Sequence, residues 1–219
     1  MKTLELTSDV VFKAFMLSEN TINYKSRLLH LITGISENEL KKAVYTSEEL
    51  KVNQKSEKVY KTDIIVKVEK NIISIEMNKE ASYGIFIKNS NYASKLRSEQ
   101  LESGESYQEY KKVITINIDN FHTYKGNKII YKFMMMELET KEIENDYYIS
   151  YHIDLKNLNK KSYNKDEISE LLKIFIVEDT EKLRGEKVMD EAIDELKRIS
   201  EDREIIGLYD KEKVERKLI

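Results

Sequence analysis

Apolar and polar positions along this chain follow two different periods. In VYKTDIIVKVEK, Tyr60, Thr62, Ile64, Val66 and Val68 fall on one side and Lys61, Asp63, Ile65 and Lys67 on the other. In NIISIEMN, Ile73, Ile75 and Met77 oppose Ile72, Ser74, Glu76 and Asn78. A period of two is that of a strand, and the runs meet at Glu69-Lys70-Asn71, so a hairpin is expected. Across a two-residue loop, opposed positions sum to an odd number, which sets Asp63 against either Glu76 or Asn78. In both registers Asp63, Glu76 and Asn78 share one face, unless a bulge intervenes.

Elsewhere the period is helical or again extended. Thr7, Ser8 or Asp9 caps a helix carrying Val10, Val11, Phe12, Phe15 and Met16, and a second helix runs through Ile22, Leu28, Leu29 and Ile32 to a stop at Gly34. Residues 37–58 are polar and weakly patterned: a short helix or strand, then a loop. Lys88, Tyr92, Leu96 and Gln100 step by four along a predicted helix that Gly104 ends. Residues 112–118 alternate Val113, Thr115 and Asn117 with Ile114, Ile116 and Ile118, a strand pattern. KIIYKFMMMELE and DYYISYHIDL are expected to flank it as strands. Ile168, Leu171, Leu172 and Phe175 mark a further helix, and the highly charged stretch from Glu181 spaces Leu183, Val188, Ala192, Leu196 and Ile199 for one or two amphipathic helices.

Composition narrows the chemistry. The 219 residues suffice for one large domain, with an appendage at most, and 35% charged against 40% apolar residues describes a globular chain with a charged surface. The lack of cysteine excludes disulfides, thiol nucleophiles and cysteine zinc sites. His30, His122 and His152 are too scattered for a ligand pair at helical spacing and read as surface or core histidines. No apolar run reaches membrane-spanning length and the amino terminus lacks a signal-like apolar core, so a cytoplasmic protein without a membrane partner is expected. A formal charge of -3 and a pI near 5.8 argue against binding nucleic acid through net charge alone. The pairs Lys41-Lys42, Lys111-Lys112 and Lys160-Lys161 either line a local basic groove or are solvated surface.

Two carboxylates on adjacent strands are what magnesium-assisted phosphodiester hydrolysis needs. They hold a hard cation that neutralises phosphate charge, generates hydroxide near neutral pH and stabilises the leaving oxygen. Asp63 and Glu76 supply the carboxylates, the Met77 carbonyl is a further oxygen, and Asn78, two positions beyond Glu76, points the same way and can orient a water.

This ordered set, Asp63…Glu76-x-Asn78, resembles the core of the PD-(D/E)XK nuclease superfamily. Its surroundings are similar to the branch of recombination-promoting nucleases, or PD-(D/E)XK nuclease family transposases. That branch opens with Asp-x-x-Phe-Lys, matched by DVVFK from Asp9 to Lys13, and its acidic strand reads Ile-Glu-x-Gln or Ile-Glu-x-Asn, matched by IEMN. The following helix carries a basic residue, a tyrosine, often a glutamine and a closing Gly-x-x-Tyr; here these are Lys88, Tyr92, Gln100 and GESY, Gly104 to Tyr107. Two departures stand out. Asn78 replaces the motif lysine, and Lys88 stands where the branch usually has arginine, keeping the charge without the bidentate fork.

The resemblance, which spans roughly Thr7 to Phe121 and thins out towards the carboxyl terminus, implies an α/β fold with a restriction-endonuclease-like core, a mixed central sheet flanked by helices, over residues 1–178; the charge and spacing of the tail add a charged helical C-terminal extension over 179–219. It implies a metal-dependent DNA endonuclease using Mg2+, with Mn2+ as a substitute, linked to recombination, mobile elements or defence. Catalytic roles fall to Asp63, Glu76 and Asn78, metal binding to Asp63 and Glu76, and phosphate-binding or supporting roles to Lys88, Tyr92, Gln100 and Asp9. Read without the resemblance, Asp9 is a helix cap, Tyr92 a core aromatic and Gln100 a solvent-facing residue. The alternative function is a catalytically weak or inactive nuclease-fold protein that binds DNA or a protein partner; RNA processing is a third. A homodimer would suit cleavage of both strands of a duplex.

Overall fold

The computed structural model describes residues 3–47, 49–50, 60–101, 104–159 and 166–216. Its elements run α1 (Asp9–Leu17), α2 (Ile22–Thr33), α3 (Glu37–Lys42), β1 (Val44–Thr46), β2 (Glu49–Leu50), β3 (Tyr60–Lys61), β4 (Ile64–Lys67), β5 (Asn71–Asn78), α4 (Ile85–Ser98), β6 (Lys112–Asp119), β7 (Ile130–Phe133), β8 (Tyr148–Asp154), α5 (Glu167–Leu172), α6 (Lys187–Glu201) and α7 (Arg203–Arg216). The chain forms two compact units, residues 42–154 in one and residues 1–41 with 155–219 in the other. Residues 179–216 group with the amino-terminal helices. Lys160-Lys161 lies outside the described residues.

In the helical unit, α1 begins at Ser8, whose side chain makes no capping bond within its own helix. The cap comes from α7: the Glu212 carboxylate accepts from Ser8 Oγ at 2.6 Å and from the backbone N–H groups of Asp9 and Val10 at 3.3 Å each. A carboxylate from another helix thereby satisfies amides that a helix start leaves unpaired and meets the positive end of the dipole. The predicted stop of α2 at Gly34 is observed, with φ at 79°, the left-handed conformation that glycine adopts without strain.

The sheet unit contains a six-stranded mixed sheet in the order β1-β4-β5-β6-β8-β7. β4 and β5 form the expected hairpin, with Ile64 opposite Ile75 and Lys67 opposite Ile72 around the two-residue turn 69–70, closed by Val68 N–H donating to the Asn71 carbonyl at 3.0 Å. β5, β6 and β8 are parallel, and α4 is the crossover between the first two. β7 is antiparallel to β8 at the edge; KIIYKFMMMELE supplies a strand only over Ile130–Phe133, followed by an isolated bridge between Met136 and Ile143.

The two faces of this sheet differ in chemistry. Ile64, Val66, Ile73, Ile75, Ile114, Ile116 and Ile153 line one face with buried apolar side chains. The other begins apolar, where Ile65 and Val113 pack with Leu96 of α4, and turns polar toward the carboxyl ends of the parallel strands. Parallel strands covered on both faces are ordinarily near-continuous apolar runs, so a polar half-face marks a site.

Two further predicted elements differ from those observed. Tyr60–Lys61 pairs with β2 in a separate two-stranded ladder instead of continuing into β4, because the chain bends at Thr62-Asp63. The helix ends at Ser98, not at Gly104. Gln100 turns back so that its side chain donates to the Lys111 carbonyl at 3.0 Å and accepts from the Lys111 N–H at 2.7 Å.

Candidate active site

The bend at Asp63 is what brings the two acidic residues together. The register of β4 and β5 sets Asp63 opposite Glu76, one of the two alternatives that the alternation allowed. Instead of a ladder bond, the Asp63 carboxylate accepts the Met77 N–H at 2.8 Å, and the Asp63 N–H donates to Glu76 Oε1 at 3.3 Å. Each acid thus holds the backbone beside the other. Thr62, expected on the face opposite Ser74, has its hydroxyl 2.8 Å from the Ser74 hydroxyl, so the strict alternation breaks one residue before the site.

Glu76 is only 3% exposed, and its second oxygen receives the Lys88 ammonium at 3.1 Å. Lys88 is the fourth residue of α4, near the helix end where the dipole disfavours a cation. Burial there would lower its pKa, but the charge of Glu76, followed by Tyr92 and Asp63, outweighs burial and holds the ammonium above its ordinary range. Tyr92 lies one turn further on, buried, with its ring centroid 5.1 Å from the Lys88 ammonium, a cation–π arrangement.

Asn78 ends β5, 5% exposed, and its amide nitrogen donates to Asp119 on β6 at 2.8 Å. Gln100 does not join this group: both of its amide atoms serve the Lys111 backbone. Asp9 belongs to the helical unit, where its carboxylate pairs with Lys13 at 3.1 Å. Of the lysine pairs, Lys112 bonds Asp146 and Lys41 pairs with Glu37 at 3.9 Å.

Sequence reasoning missed the residues beside Asn78. Register aligns Ser74 with Thr115 and Ser150, Glu76 with Asn117 and His152, and Asn78 with Asp119 and Asp154, three polar rows across three parallel strands. All are buried, and a buried polar group left unpaired costs roughly 1–3 kcal/mol. Here they pair with one another: Thr115 donates to Ser150 at 2.9 Å, Asn89 of α4 to Asn117 at 2.5 Å, and His152 meets Asp119 at 3.0 Å. His122 and Asp154 form a second pair at 3.2 Å, its histidine half exposed. The signal was present as a shared spacing, Ser-x-Glu-x-Asn, Thr-x-Asn-x-Asp and Ser-x-His-x-Asp, in three predicted strands.

A mixed six-stranded sheet with the crossover helix α4, an acidic pair at the open end of a hairpin and a helix-borne cation over the second acid define a protein of the restriction-endonuclease-like α/β fold. The family model described as PD-(D/E)XK nuclease family transposase matches residues 6–217, and the chain belongs to that family. No curated protein matched the chain. Nucleases of the PD-(D/E)XK type generally use divalent metal ions. The residues present fit such an ion: Asp63 and Glu76 offer hard carboxylate oxygens, and a carboxylate that already accepts two hydrogen bonds retains lone pairs for a cation. Among the described residues, no group of three or more His, Cys, Asp or Glu side chains is gathered for a metal, so oxygens of other kinds must complete the set. Among the described residues, no helix is long and apolar enough to cross a membrane.

Proposed function

We propose that this protein is a metal-dependent DNA endonuclease that hydrolyses phosphodiester bonds, with Mg2+ as the working ion and Mn2+ able to replace it. The observation that carries this reading is the mutual clasp of Asp63 and Glu76 with Lys88 at 3.1 Å from the second acid. A bound divalent ion would supply Lewis-acid polarisation of the phosphate and a hydroxide near neutral pH. Asp63 and Glu76 hold it. Asn78 orients the attacking water. Lys88, whose ammonium lies beside Glu76, would meet the scissile phosphate and stabilise charge that grows there. Tyr92 steadies the lysine stem. One acidic pair per chain cuts one strand, so duplex cleavage calls for a homodimer. Recombination, mobile elements or defence, inside the cytoplasm, is the setting that the family suggests.

A second reading has its own support: both Glu76 oxygens are already bonded, and an amide stands where the motif has lysine. On that reading the fold binds DNA or a protein partner with little or no turnover. Plasmid nicking in Mg2+ or Mn2+ separates the two. Cleavage that needs the metal and disappears in both Asp63→Ala and Glu76→Ala supports the enzyme; a correctly folded parent that never nicks supports the binding protein.

A further inference from the structure

We propose that Asp119 is a positioning residue that fixes the Asn78 amide with its nitrogen toward β6, so that its carbonyl oxygen, not its NH2 group, is offered to the Asp63–Glu76 pair. This rests on the reading of that pair as the metal-holding site.

The inference comes from hydrogen-bond polarity. An ionised carboxylate only accepts, so any group that bonds Asp119 must bring a proton. Asp119 is 1% exposed and has three such partners: Asn78 Nδ2 at 2.8 Å on one oxygen, Thr123 Oγ1 at 2.9 Å and His152 Nδ1 at 3.0 Å on the other. The amide of Asn78 cannot turn over without setting oxygen against oxygen. His152 is held in turn, with Asn117 Nδ2 3.5 Å from its Nε2, Asn117 itself bonded by Asn89, and Phe86 and Tyr124 rings packed around the imidazole. The chain of bonds therefore runs from α4 through β6 and β8 and ends on the residue at the motif's lysine position.

With its NH2 committed to Asp119, the Asn78 amide has its oxygen left for the side of the strand face that it shares with Glu76. Left to itself, an amide beside two carboxylates would turn its NH2 toward them. An oxygen on that side is one more hard donor beside Asp63 and Glu76 for a divalent ion or its bound water. In a site with only two carboxylates, that oxygen extends the hard donor set. Replacing lysine by asparagine then exchanges a cation that stabilises phosphate for an oxygen that favours the metal.

Mn2+ binding measured by calorimetry on the full chain tests this, with melting temperature as the check on folding. The parent should bind Mn2+, and Asp63→Ala and Glu76→Ala should abolish binding. Asp119→Asn, which lets the Asn78 amide turn over, should bind about tenfold or more weakly, as expected for loss of an orienting partner. Asn78→Ala should lose a similar factor, and the double variant should be no weaker than Asn78→Ala alone, since Asp119 acts only through that amide. Should Asp119→Asn not fold, Thr123→Val, which removes one donor from Asp119, should still weaken binding several-fold. Mn2+ affinity equal to the parent's in the folded variant, or losses that add in the double variant, would overturn the role of Asp119 while leaving the acidic pair intact. A parent that binds no Mn2+ would overturn both.

Discussion

The Lys88 ammonium lies 3.1 Å from Glu76 Oε2, so the acid that the motif reserves for a metal carries a protein cation in this structure. On the proposed function, Lys88 would both compete with the metal for Glu76 and meet the phosphate. These two roles give opposite signs when it is removed.

Lys88→Met should therefore tighten Mn2+ binding by about fivefold, the equivalent of roughly 1 kcal/mol for a partly exposed ion pair. The same substitution should weaken DNA binding and lower the salt dependence of that binding by about one unit of slope. Calorimetry with Mn2+ and fluorescence anisotropy with labelled duplex at several salt concentrations measure the two effects. Loss of metal affinity in Lys88→Met would mean that the lysine supports the ion instead of competing with it.

Gln100 is expected to matter for stability and not for the metal. Its amide bonds both backbone groups of Lys111 and ties the end of α4 to the start of β6. Gln100→Ala should lower unfolding free energy by about 1–3 kcal/mol, the range for partly buried backbone groups left unpaired. Mn2+ affinity should match the parent's. Chemical denaturation followed by calorimetry checks both.

Acid should loosen the helical unit through Glu195. Arg198 bonds both of its oxygens, at 2.8 and 2.6 Å, and Asn20 bonds one of them at 2.9 Å. The Arg198 guanidinium, with help from Ser18 and Asn20, holds this carboxyl down to about 2. A carboxyl depressed in the folded state contributes stability that is complete above its ordinary value of 4.5 and is lost as pH falls through about 2. Glu195→Gln should be less stable than the parent at pH 7 by about 1–3 kcal/mol, with the gap closing between pH 4.5 and 2. Thermal melts across that range show it; a gap independent of pH would assign the loss to packing.

Much of the sheet and part of the site were legible from residue order. The hairpin followed from alternation in DIIVKVEK and NIISIEM and from a two-residue turn, which fixed the shared face but left two registers open, Asp63 opposite Glu76 or Asn78; the structure takes the first. That register set Asp63 opposite Glu76, and the bend brought them into contact. What alternation could not show was the bend at Thr62-Asp63, since it arises from side chains replacing ladder bonds, through Met77 N–H to Asp63 and Asp63 N–H to Glu76. The end of α4 was misplaced for a similar reason: Gly104 has the positive φ of 95° that suits a turn, but Gln100 had already left the helix to bond Lys111. Asp119 and His152 were unreadable one strand at a time. Their meaning lies in parallel register, which aligns residues 41 and 33 positions away in sequence only after α4 and β7 have been folded between them. Likewise the partner of Ser8 is Glu212, from the far end of the chain.

The most direct test of the account is anomalous diffraction from crystals of the protein soaked in Mn2+. It predicts a strong peak at the Asp63–Glu76 pair, with the Asn78 carbonyl oxygen on the side of the peak and Lys88 drawn off Glu76. No peak at that pair, or one elsewhere with Lys88 still bound to Glu76, would contradict it.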